Sequence, residues 1–142
     1  MTRKRIAVLA AVVGMCTPVA LAATATAAPG PATATIASPV ILNDDGTLSV
    51  TVTYSCAPGD SAGGEVYVQQ AVRRITATGM AYLYPVVCDG SANTLVVPVS
   101  STGGPAFKVG QAFVSVRLGI CDPTFTCTEL RPGDFVRVAR AR

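Results

Sequence analysis

Leu48-Ser49-Val50-Thr51-Val52-Thr53-Tyr54-Ser55-Cys56 is the stretch that decides the fold. Apolar Leu48, Val50, Val52, Tyr54 and Cys56 alternate with polar Ser49, Thr51, Thr53 and Ser55. A period of two places alternate side chains on opposite faces, so this is a half-buried strand with Cys56 on the core side. Upstream, Asp45-Gly46 is a hairpin turn signal, so Val40-Ile41-Leu42 is predicted to pair with the strand that follows. Asn43, Asp44 and Asp45 offer hard oxygen ligands, but the turn explains them and the rest of a calcium loop is missing.

Downstream the same period returns. Val66, Val68 and Val72 oppose Tyr67, Gln69, Ala71 and Arg73 in a strand running from Glu65 to Ile75. A further strand is expected over "MAYLYPVVCD", then a turn at "DGSAN", then Leu95, Val97 and Val99. Pro98 cannot donate to a ladder and marks an edge. Ala112, Val114, Val116, Leu118 and Ile120 alternate with Phe113, Ser115, Arg117, Gly119 and Cys121, and a last segment runs from Cys127 to Val138. "APGDSAGGE" and "TGGPAFKVG" read as loops. About seven short strands, no helical period and no crossover helix for a parallel sheet predict an all-β, immunoglobulin-like antiparallel β-sandwich.

The N-terminus is organised differently. Arg3-Lys4-Arg5, an apolar run from Ile6 to Ala23 and Ala25-Thr26-Ala27 form the three-part layout of a secretory signal peptide. The expected organisation is a signal peptide over 1–27, a flexible leader over 28–35 and one sandwich domain over 36–142. Secretion to the extracellular space is the implied localisation. The formal charge of +3 belongs to the signal segment, so the exported part is neutral. Neutrality removes the main argument for nucleic-acid binding, and no membrane contact is expected after signal removal. Arg131, Arg137, Arg140 and Arg142 gather late in the chain, where they read as the charged edge strand that blocks edge-to-edge pairing.

Four cysteines survive export: Cys56, Cys88, Cys121 and Cys127. Cys56 faces the core, whereas Cys121 falls in step with Ser115 and Arg117 on the outer face. Opposite faces disfavour a Cys56–Cys121 bridge, which predicts Cys56–Cys88 and Cys121–Cys127. Chain entropy assigns about 3.7 kcal/mol to the long bridge and about 2.4 kcal/mol to the short one. The spacings do not form zinc knuckles, and the chain has no histidine, so no metal or other cofactor is expected. Without histidine the usual general base is missing. Asp89 and Asp122 could supply paired acids, but each follows a cysteine at a strand end and reads as a turn residue. No catalytic residue is assigned, and the protein is expected not to be an enzyme.

Two resemblances bear on this chain. "VTYSC" and "VVCDG", through Tyr54, Cys56, Val87, Cys88, Asp89 and Gly90, resemble an uncharacterised family of small secreted actinobacterial proteins. The resemblance covers most of the exported part and implies no activity. "CDPTFTC" is similar in position and kind to the short disulfide loop of the enediyne chromoprotein apoproteins, exported sandwiches with two disulfides. That resemblance is architectural, and it implies a ligand cleft without assigning cleft residues.

The leading functional expectation is a non-catalytic binding or surface-interaction module. Its working surface is the Cys121–Cys127 loop, with Phe125 at the tip beside Asp122 and Thr124. The competing expectation, given precedence, folds Phe125 back over the sandwich end. A small-molecule carrier would gather Tyr67, Tyr82, Phe113 and Phe125 around an apolar cleft. A secreted hydrolase inhibitor would use the rigid loop. A protein, a cell-wall polymer and a small molecule stay open as partners.

Overall fold

The computed structural model describes residues 30–141. The expected signal segment and Arg142 lie outside the described residues. The described chain is all-β, with ten strands rather than seven: β1 Thr33–Ile36, β2 Val40–Leu42, β3 Leu48–Ser55, β4 Ser61–Val72, β5 Ile75–Leu83, β6 Asn93–Val99, β7 Ser101–Gly103, β8 Gly110–Cys121, β9 Cys127–Leu130 and β10 Gly133–Arg140.

The extra strands are pieces of three or four residues, too short to show an alternation of their own. β1 begins inside the expected leader, where it pairs with β3 and Thr33 and Ser55 join hydroxyls at 2.7 Å. β4 begins at Ser61, inside the expected loop, because β8 supplies a ladder partner as far as Cys121. The strand expected over "MAYLYPVVCD" is displaced: β5 ends at Leu83, and Tyr84 to Asp89 belong to no strand. Arg73-Arg74 instead close a two-residue hairpin between Val72 and Ile75.

The strands form one hydrogen-bonded sheet in the order β1-β3-β2-β10-β8-β4-β5-β7, with β6 on β3 and β9 on β8. β6 pairs with β3 from Leu48 to Tyr54, in keeping with an edge at Pro98. β1 and β2 share the other edge of β3, which Ala37 to Pro39 divide between them. β9 and β10 divide one edge of β8 in the same way.

The expectation of a purely antiparallel sheet is corrected by one pair. β2 and β10 run parallel, with Val40 opposite Val138 and Leu42 opposite Arg140. These strands come from the two ends of the described chain, so the whole domain serves as their crossover and no helix is needed. β10 thus lies between β2 and β8, but of its residues only Val138 is laddered on both sides: Arg137 pairs with Gln111 alone and Arg140 with Leu42 alone.

The buried apolar side chains form one core cluster. β3 contributes Leu48, Val50, Val52 and Tyr54, β8 contributes Ala112 to Ile120 at alternate positions, and β4, β6 and β10 add valine pairs. The buried Tyr54 hydroxyl accepts a hydrogen bond from Val87 N at 3.0 Å, which ties down the segment that carries Cys88. The disulfides are Cys56–Cys88 and Cys121–Cys127, the pairing that the strand faces predict. Two disulfides, and no described helix long and apolar enough to cross a membrane, are compatible with an extracellular protein.

Candidate functional site

The β8–β9 hairpin carries the predicted loop. Cys121 and Cys127 are cross-strand partners, so the disulfide closes the ladder where five residues leave it. Inside, Phe125 N donates to Asp122 O at 2.9 Å and Asp122 N donates to Thr126 O at 3.0 Å. The Asp122 carboxylate holds the rest: Oδ1 accepts from Thr124 N, Thr124 Oγ1 and Thr126 N at 2.8, 2.7 and 3.0 Å. These bonds hold its pKa below the ordinary aspartate value, with the Thr124 hydroxyl contributing most. Asp122 thus shapes the loop from within, and Thr124 is its partner. Asp89 does the same work in its own turn, accepting from Ser91 N and Asn93 Nδ2, both at 2.9 Å.

Phe125 overturns the packed-back expectation. The residue is 88% exposed. Its backbone has φ of 63°, the left-handed region that this hairpin position normally fills with glycine. The chain turns sharply there, and the turn throws the ring away from the sheet end instead of over it. A large aromatic in that conformation is unfavourable for folding on two counts, backbone and exposure.

The four aromatics proposed to line a cleft are not gathered. Tyr82 borders a trough of about 470 Å³ with Gly63, Glu65, Arg117, Gly119 and Glu129. Phe113 lines a different hollow, where its ring meets Phe135 edge-on at 5.2 Å. Tyr67 and Phe125 line neither.

The trough is a feature that sequence reading missed. Gly63 and Gly119 are direct cross-strand partners, so two bare backbones form its floor. A methyl group at Gly63 would meet nothing within 4 Å, and one at Gly119 would make only an ordinary contact with Gly63 O at 3.7 Å. Packing does not require either glycine. Gly64 is different, since a methyl there would strike Arg117 O. Along the wall, Arg117 pairs with Glu129 and lies 3.6 Å from Glu65, while Arg131 bonds Glu129 at 2.9 and 3.0 Å. Arg131 and Arg117 together keep the Glu129 pKa low, and a hydrogen bond to Glu65 raises that of the Tyr67 hydroxyl.

Among the described residues no three His, Cys, Asp or Glu side chains are grouped to hold a metal ion. Comparison with family models, curated proteins and solved structures returns no match.

Proposed function

We propose that the protein is a secreted, non-catalytic binding module of immunoglobulin-like sandwich architecture that engages a protein partner through the Cys121–Cys127 loop. One observation carries the reading: Phe125 is held fully outward, in a left-handed backbone, on a loop locked by a disulfide and by Asp122. Among the described residues the ring is left almost wholly exposed. A rigid exposed aromatic contributes large contact area at little entropic cost on binding. Asp122 and Thr124 maintain the presentation, and Phe125 makes the contact. The same geometry suits a hydrolase inhibitor, a special case of this reading.

The test is capture by the immobilised protein from the producing organism's culture fluid and cell surface, with Phe125→Ala as control. A discrete partner retained by the wild type and lost by the variant supports the reading. Identical captured sets from both would refute it.

A small-molecule carrier is a second reading, and the trough favours it. Strand-interior glycine weakens a sheet and often marks close approach of a ligand to the backbone. Gly63 and Gly119 fit that description because no packing constraint accounts for them. The trough volume falls within the range of small-ligand sites.

A further inference from the structure

The β4–β5 turn and the loop between β7 and β8 meet around a second hollow, of about 800 Å³. Its lining consists of Arg73, Arg74 and Lys108 with Val72, Ile75 and Pro105. Among the described residues no acidic side chain lines it. The ion pairs among the described residues involve Arg117 and Arg131, so these three cations stand without a carboxylate partner. In an exported chain with balanced charge, such a cluster is a local choice.

Two details of the packing show that the cluster is held in place. Lys108 is fixed from below by Gln70, the buried polar residue of the core, at 2% exposure. Gln70 Nε2 donates to Lys108 O at 2.7 Å, and Lys108 N donates to Gln70 Oε1 at 2.8 Å. Phe107 beside it is buried, so the loop is anchored on both sides of its peptide. Arg73 has φ of 58° in a two-residue hairpin turn, a position at which glycine or asparagine is ordinarily found. Arginine there works against the turn and displays a charge. Ile75, the next residue but one, is 63% exposed.

We infer that this end of the sheet docks on an anionic lipid surface. Arg73, Arg74 and Lys108 hold phosphate headgroups, and Ile75 enters the first methylenes below them. The apolar part of the lining, Val72, Ile75 and Pro105, selects this occupant. A site for a free anion would turn buried polar donors inward, and none lines the hollow. A single-stranded nucleic acid would be expected to stack on aromatic rings, and the hollow has none. This departs from the expectation of no membrane contact after signal removal. It is independent of the Phe125 reading, whose loop does not line this hollow.

The test is co-sedimentation of the purified protein with vesicles of phosphatidylcholine, alone and mixed with phosphatidylglycerol. Binding is expected for the mixed vesicles only, and it should weaken as salt rises. Arg73→Gly, Arg74→Gln and Lys108→Gln should each weaken it about fivefold, as one cation near a charged membrane contributes. Arg73→Gly should do so with an unchanged or raised Tm, because glycine suits that turn. Ile75→Ser should also weaken binding. Absence of binding to the mixed vesicles at low salt overturns the inference, as does full binding by the triple cation variant. Full binding by Ile75→Ser, or displacement by inorganic phosphate at equal ionic strength, reduces the hollow to a free-anion site and overturns the lipid assignment.

Discussion

The Gln70 side-chain amide brackets the peptide of Lys108, donating to its carbonyl at 2.7 Å and accepting from its N–H at 2.8 Å. A side chain thereby satisfies both backbone groups of Lys108 just past Gln69, where the β4–β8 ladder ends, while Gln70 itself stays laddered to Ala77 of β5. Gln70→Leu should destabilise the protein by about 2 kcal/mol, since two backbone groups lose their partners in a part-buried site. Gln70→Glu should also destabilise it at neutral pH, because a carboxylate cannot donate to Lys108 O. Urea unfolding of the two variants measures both effects.

Phe125 should separate stability from binding. Phe125→Ala is expected to change unfolding free energy by less than about 0.5 kcal/mol, as for an exposed site without contacts. Phe125→Gly should stabilise by up to about 1 kcal/mol, because glycine adopts the left-handed backbone freely. Both should lose partner capture. A large loss of stability in Phe125→Ala would mean that the ring packs after all.

The two bridges should be unequal. Replacing Cys56 and Cys88 by alanine removes a closure of sequence separation 32, and replacing Cys121 and Cys127 one of 6. Chain entropy sets the losses at about 3.7 and about 2.4 kcal/mol. Chemical denaturation midpoints order them. The short bridge should matter more for capture, because it frames Phe125.

Asp122 gives the loop a pH dependence of known sign. Its pKa is lower in the folded loop than in the unfolded chain, so its contribution is complete above the ordinary aspartate range. That contribution is lost as pH falls through the lowered value. Amide exchange at Thr124 and Thr126, whose N–H groups the carboxylate accepts, should show loss of protection at acid pH. Asp122→Ala should abolish both the protection and its pH dependence.

The trough makes an opposite pair of expectations. Gly119→Ala should raise stability by about 0.5–1 kcal/mol, since alanine replaces a strand-interior glycine without a clash. Gly64→Ala should lower stability, because its methyl would meet the Arg117 carbonyl. Thermal unfolding reads both signs. A fall in Tm for Gly119→Ala would show that the fold, rather than a ligand, requires a bare backbone there.

Long strands were legible wherever a half-buried face imposed a period of two. β3 and β8 alternate without interruption, and from them the faces of Cys56 and Cys121, and hence the disulfide pairing, could be read. Asp122 was legible as a turn residue for the same local reason. The hairpin at Arg73-Arg74 was not, because neither residue signals a turn and the apolar set runs on from Val72 to Ile75. β1 and β7 were hidden because strands of three or four residues depend on their partners and not on their own pattern.

The sequence by itself therefore determined the all-β class, the inward faces of β3, β4, β6 and β8 and the cysteine pairing, all of which follow from local periodicity. Only the tertiary structure decided that β2 and β10 join the ends of the chain in parallel, that two cross-strand glycines form a trough floor, and that Gln70 sets Lys108 beside Arg73 and Arg74. The physical reason is one of range. Each of these depends on residues tens of positions apart meeting across a ladder, and no local pattern records which strands become neighbours.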